Sequence, residues 1–276
     1  MTAPPTADDP PRVALVTGGC SGIGRAIAER LAARGHPIVL VSERPTELAE
    51  VAAAIRAAHR VPVHPIAQDL ARPEAAAELH AAVRSLGLEV DILVNNAGFF
   101  FFGETVDADP ARANAMLQLH VVTPSLLCTH FGRDMRARRR GHILIVSSIS
   151  AWRDFPGISF YGSSKKYLRG FARALRCELA VHGVSVTCLA PGATATALYN
   201  ATAVPVARAR KLGVMMEADA VADAGLAAMF AGKAEHIPGL LTRAMTLAAV
   251  LTPQWVIDRL RRHGPWLRHR DPEPPP

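Results

Sequence analysis

The stretch Arg12-Val-Ala-Leu-Val-Thr17-Gly18-Gly19-Cys20-Ser21-Gly22-Ile23-Gly24 decides how the rest of the chain is read. A short β-branched run ends in a glycine-rich turn, and a helical pattern begins at once and continues to about residue 34. Glycines at such a turn let the backbone approach a pyrophosphate, which sits on the free amides of the helix N-terminus. The spacing is Gly-x-x-x-Gly-x-Gly, and structural turns use the same residues. Its place directly after the first strand is what points to dinucleotide binding.

Outward from that turn, short apolar runs alternate with alanine-rich helical stretches. Strands are expected at 12–17, 38–42, 61–67, 91–95, 142–148 and 184–189, and helices over 22–34, 47–58, 74–86, 110–138 and 160–182. Runs such as Ile38-Val-Leu-Val41 and Ile143-Leu-Ile-Val146 are continuous rather than alternating, as in parallel strands buried on both faces. The pattern predicts one doubly wound α/β domain with a parallel sheet over residues 12–235. Past Pro191 a helix is expected over 217–231. Residues 236–270, with Trp255, Trp266 and several arginines, read as a C-terminal helical extension. Proline clusters at 1–11 and 271–276 read as disordered tails.

Composition narrows the function classes. Half of the residues are hydrophobic (50%), enough for a sizeable core. Cys20, Cys128, Cys177 and Cys188 form no Cys-x-x-Cys pair, so neither a metal site nor a disulfide framework is expected. No secretory signal comes after Met1 and no apolar run reaches the ~20 residues of a membrane span, which gives a cytoplasmic expectation. The net charge is +7, and the cluster Arg136 to Arg140 reads as a cationic helix end. It carries no interleaved aromatics, so nucleic-acid binding is not expected.

Four further elements occur in order: Asp69-Leu70 after the third strand, Asn95-Asn96-Ala97-Gly98 after the fourth, Ser148 ending the fifth, and Tyr161-Gly-Ser-Ser-Lys165 opening the next helix. Tyr161 and Lys165 share a helix face at i, i+4. A nearby ammonium stabilises a phenolate, so Tyr161 can act as acid or base near neutral pH. Ser148 lies where open α/β sheets bind ligands, and its hydroxyl can hydrogen-bond a reacting oxygen. With these motifs, residues 12 to about 200 strongly resemble the short-chain dehydrogenase/reductase family. The resemblance implies a Rossmann-type fold, a nicotinamide cofactor, and hydride transfer between a ketone and a secondary alcohol. It makes Ser148, Tyr161 and Lys165 the catalytic residues, with Lys165 also holding the nicotinamide ribose. Gly18, Ser21, Gly22, Ile23, Gly24, Ser42, Glu43, Asp69, Leu70, Asn95, Asn96, Ala97 and Gly98 become cofactor residues, together with Pro191, Gly192, Thr194 and Thr196 of a Pro-Gly-x-x-x-Thr turn.

The chain departs from the family's pattern at two places. Where the family carries an asparagine that supports a proton-relay water, fifteen residues before Met135, this chain has His120, either a titrating relay member or a packed helix residue. The family's Val-Asp-Gly-Gly ending is absent, and the segment after His236 looks like a helical cap over the substrate cleft. Glu43 would repel a 2′-phosphate while Arg44 could compensate, so NAD(H) is favoured over NADP(H). Phe99, Phe100, Ser150, Trp152, Phe155 and Leu198 are expected to line an apolar substrate pocket. A homodimer or homotetramer built on the two long helices is expected by resemblance. Two alternatives stay open: a dinucleotide-binding regulator without turnover, and a peripheral membrane contact through the C-terminus.

Overall fold

The computed structural model describes residues 12–194 and 215–263. The expected tails, and Thr196, Leu198 and Trp266, lie outside the described residues. Seven parallel strands form one sheet in the order β3-β2-β1-β4-β5-β6-β7. They are β1 (Val13–Thr17), β2 (Ile38–Ser42), β3 (Val63–Ala67), β4 (Val90–Asn95), β5 (Gly141–Val146), β6 (Val184–Leu189) and β7 (Glu235–His236).

The helices between them are α1 (Gly22–Ala32), α2 (Pro45–His59), α3 (Ala75–Ser85), α4 (Pro110–Leu117), α5 (Thr123–Arg138), α6 (Ser159–Ala180) and α7 (Ala218–Phe230). Successive strand residues point to opposite faces, and in the strands between the edges both faces are buried. Ala14, Val16, Ile38, Leu40 and Val94 pack against α1, α2 and α7. Leu15, Val39, Val41, Leu93 and Ile143 pack against α3, α5 and α6 on the other side. This double burial explains why the strands read as continuous apolar runs.

The strand order places β1 beside β4, with the chain turning outward in opposite directions from the two. A crevice therefore opens at their carboxyl ends. The far end of the same strands is tied by charge. Buried Asp91, at the start of β4, accepts from Arg138 at 3.4 Å and Arg140 at 3.2 Å, which flank the end of α5. Two arginines of the Arg136–Arg140 cluster thus answer one buried carboxylate.

One short strand lay beyond the sequence reading, and the extension read as helical divides in two. The two-residue β7 is too short to carry a period; it pairs with Cys188 and Leu189 and runs across the boundary expected at 235/236. The C-terminal extension resolves into α8 (Leu240–Leu251) and α9 (Gln254–His263).

Gly183, in the turn from α6 to β6, has φ +74°, and a Cβ there would stand 2.3 Å from the carbonyl oxygen of Arg139. Both the left-handed backbone and the clash oppose a side chain. Gly183→Ala should lower the unfolding free energy by about 2 kcal/mol, read as a drop in the urea midpoint. An unchanged midpoint would contradict this packing.

Candidate active site

The crevice is a cleft of about 700 Å³ running from Gly18 to Thr194 across the top of β1, β4 and β5. Its floor is a lock between two turns. Thr17 Oγ1 donates to the Val94 carbonyl at 3.2 Å and accepts the amides of Asn96 at 2.9 Å and Ala97 at 3.1 Å. Asn96 Nδ2 returns a bond to the Thr17 carbonyl at 3.0 Å. Gly18 adopts φ +65°, and its Cβ would meet Ala97 Cα at 2.9 Å. A Cβ on Gly24 would meet the Gly18 carbonyl oxygen at 2.3 Å. Glycine is thus required where the backbone itself forms the cradle, and the space left open suits a pyrophosphate at the start of α1.

Helix α6 supplies the reactive face. Tyr161 and Lys165 are both buried at the cleft wall, and Lys165 Nζ lies 5.6 Å from the centre of the Tyr161 ring. The ammonium donates to the Val146 carbonyl at the end of β5, at 3.1 Å. Burial lowers its pKa to about 8. Ser147 Oγ donates to the Lys165 carbonyl at 2.7 Å, fixing α6 to β5. Ser148 lines the same cleft, and its hydroxyl accepts the Ser150 amide at 3.2 Å. Ser148, Tyr161 and Lys165 therefore converge on one space.

His120 is buried beneath that group. Pro124 lacks an N–H and cannot donate to the carbonyl four residues back, that of His120. Between α4 and α5 the helix widens into a π-turn over Gln118–Val122. The imidazole is held at both nitrogens: the Phe99 amide donates to Nε2 at 3.1 Å, and Nδ1 lies 3.0 Å from Ser164 Oγ. Ser164 Oγ already donates to the Tyr161 carbonyl at 2.8 Å, so it accepts from Nδ1–H. This network assigns a neutral ring with its proton on Nδ1. Burial first, and the charge of Lys165 second, hold its pKa well below the ordinary histidine value. A Cβ on Gly98 would stand 2.6 Å from Nε2, so the glycine admits the ring.

At the far end of the cleft, Ser42, Glu43 and Arg44 face Ser21 and Asp69. Arg44 reaches Ser21 Oγ at 3.1 Å and pairs with Glu47 at 2.6 Å. Glu43 is exposed beside them, and no ion pair engages it among the described residues. Leu70 holds α5 through its carbonyl, which accepts from Thr123 Oγ1 at 2.8 Å.

Most of the sequence-selected residues line this cleft, Ile23, Gly22, Pro191, Gly192 and Thr194 included. Asn95 does not: it lies below the floor, where its amide donates to Cys128 Sγ at 3.2 Å. Gly24 serves the cradle from behind. Phe99 and Phe100 form part of the wall, and the Phe100 ring stands edge-on to Tyr161 at 5.0 Å. Ser150, Trp152 and Phe155 stand outside it. The Arg169 guanidinium covers Trp152 at 4.1 Å, Phe155 is 37% exposed, and Ser150 Oγ is buried away from the opening. Sequence reasoning missed Thr17 and Ser147. Each is a hydroxyl at the end of an apolar strand, and that position was the available signal.

Comparison with known proteins agrees with this geometry. A family model described as short chain dehydrogenase matches residues 12–204. Human dehydrogenase/reductase SDR family member 4 is 36% identical over 182 residues, 66% of this chain and 65% of that one. The chain thus spans less than two thirds of that relative's length. A short-chain dehydrogenase from Sphingobium yanoikuyae, solved with NADPH, superposes with a TM-score of 0.77 at 27% identity, covering 96% of this chain and 98% of that one. A 7β-hydroxysteroid dehydrogenase superposes with a TM-score of 0.81 at 25% identity, covering 93% and 95%. With its glycine cradle, its Ser148–Tyr161–Lys165 face and this match over most of its length, the chain belongs to the short-chain dehydrogenase/reductase family.

Proposed function

We propose that this oxidoreductase interconverts a ketone and a secondary alcohol on a largely apolar substrate, with NAD(H) preferred and Tyr161 exchanging the proton. The observation that carries the reading is the buried Lys165 ammonium beside the Tyr161 ring, in the same cleft as Ser148. A nicotinamide, when bound, supplies or takes up the hydride. The protein's own part is proton transfer and orientation. Ser148 Oγ hydrogen-bonds the reacting oxygen, and the Tyr161 phenol gives it a proton on reduction or takes one on oxidation. The Lys165 charge favours the phenolate and so lowers the cost of that exchange. Phe99 and Phe100 keep the approach apolar, which supports a hydrophobic substrate.

His120 enters as a positioning residue. Its two hydrogen bonds tie the Phe99 amide to Ser164 of α6, and so set the Tyr161 helix against the turn after β4. Its carbonyl cannot accept from Pro124, which lacks an N–H. Pairing of copies through α5 and α6, where Leu126 and Tyr167 are exposed, completes the reading.

NAD(H) preference is supported by charge at the adenosine end. Arg44 is already engaged by Glu47 and Ser21, which leaves the Glu43 carboxylate to repel a 2′-phosphate. Glu43→Arg should shift selectivity toward NADPH by about tenfold or more, measured as the ratio of kcat/KM values. A wild-type protein that strongly prefers NADPH would overturn the assignment.

Tyr161→Phe should reduce turnover by about a hundredfold or more, while cofactor affinity by fluorescence titration stays near the wild-type value. Near-normal turnover would remove Tyr161 from the mechanism.

His120 makes a separate prediction about pH. Its folded pKa is depressed, so below the ordinary value of about 6.5 the unfolded chain binds more protons than the folded one. Stability should therefore fall as pH drops below that value, and His120→Asn should flatten the slope in chemical denaturation. The activity–pH profile should show no ionisation near 6.5 that vanishes in the same variant. Such an ionisation would make the imidazole a relay member rather than a strut.

A further inference from the structure

Helix α8 is packed inside out. Its inward residues are Thr242 and Thr246, 6% and 5% exposed, while Leu240, Leu247 and Leu251 are 81%, 61% and 71% exposed. The threonines satisfy their hydroxyls locally. Thr246 donates to the Thr242 carbonyl at 2.8 Å, and Thr242 reaches Met216 Sδ at 3.7 Å. A helix of a free-standing globular protein buries its leucines and exposes its threonines. Trp255 at the start of α9, four residues beyond Leu251, is exposed as well. Contiguous apolar surface of this kind marks an interaction site.

The charge around the stripe identifies its occupant. Between His236 and His263 the sequence has four arginines (Arg243, Arg259, Arg261, Arg262) and a single acid, Asp258. Arg259 and Arg262 are exposed, and Asp258 accepts from Gln254. A second copy docked symmetrically would set one cationic face against another. Residues 195–214 of the chain carry Arg208, Arg210 and Lys211 and no acid, so they too would add like charge. An anionic lipid surface meets both requirements: acyl chains take the leucines and tryptophan, and headgroup phosphates take the exposed Arg259 and Arg262.

Placement gives the surface a use. Thr242 packs against Gly192, where a Cβ would lie 2.9 Å from its methyl, and Gly192 lines the cleft. On the other side Arg261 pairs with Glu104, just beyond the phenylalanine run at 99–102. The two helices therefore bridge the two walls of the cleft mouth.

We infer that α8 and α9 form a membrane-surface docking face that seats the cleft mouth on anionic lipid. This deepens the apolar-substrate reading, since such a substrate partitions into the bilayer, but the binding itself does not depend on turnover. Among the described residues no helix is long and apolar enough to cross a membrane, so the contact lies on the surface.

The test is co-sedimentation of the full chain with phosphatidylcholine vesicles, with and without phosphatidylserine. The full chain should bind the anionic vesicles on the order of tenfold more tightly than the neutral ones, with binding weakened by salt. The double variant Leu247→Glu/Leu251→Glu, both positions being exposed, should lose vesicle binding yet keep its activity on a dissolved ketone without vesicles. Failure to bind anionic vesicles, or binding that survives the double variant, would overturn the inference. Loss of an oligomer in the double variant, seen by sedimentation velocity without any vesicle binding, would also overturn it and assign the face to a second copy. An active protein that ignores vesicles would leave the oxidoreductase reading intact, whereas an inactive one that binds them would leave the docking face intact.

Discussion

A cation buried at the top of the sheet is the constraint around which the site is organised. Lys165 loses its water and receives in exchange one carbonyl, that of Val146, at 3.1 Å. Burial of an ammonium is costly unless its hydrogen-bonding capacity is met. The protein meets part of it at the end of β5 and lets the pKa drop to about 8. The charge stands 5.6 Å from the centre of the Tyr161 ring, one helical turn away. A lysine on the surface at the same spacing would be screened by solvent and would influence the phenol far less.

The surroundings can be understood as what holds that cation and its phenol in register with the cofactor cradle. Ser147 fixes the Lys165 carbonyl, Ser164 fixes the Tyr161 carbonyl, and His120 links Ser164 to the Phe99 amide. Thr17 then ties the turn after β4 to the glycine turn after β1. A chain of hydrogen bonds thus runs from α6 to the glycine turn after β1, through side chains that each join two or more partners. An imidazole in the middle of that chain serves only while neutral. Burial and the Lys165 charge depress its pKa, and the two bonds at its nitrogens call for the same neutral form.

The fold was legible because its central strands are buried on both faces and so appear as apolar runs, as in β1, β2 and β5, and because glycines mark the turn after β1 where backbone must approach backbone. The juxtaposition of Tyr161 and Lys165 was legible because residues four apart share a face on a helix, and both lie on α6 at the cleft wall. The rest depended on tertiary contacts that leave no local period. Asn95 and Asn96 are adjacent and identical in kind, yet one faces Cys128 below the floor and the other Gly18 above it. Trp152 and Phe155 lie soon after the serine, but Arg169 claims the former from another helix, and the latter turns outward. The π-turn did have a signal, a proline inside a long helical pattern at Pro124. The inverted helix α8 had none, because leucine and threonine positions alone do not say which side faces inward.

Direct titration of the Lys165 side chain by nitrogen-detected NMR, assigned against Lys165→Met, tests the central constraint without any substrate. The buried, carbonyl-bonded ammonium should lose its proton near pH 8 in the cofactor-free protein. A titration at the ordinary lysine value of about 10.4 would show a hydrated side chain and contradict the buried, carbonyl-bonded cation on which the account rests.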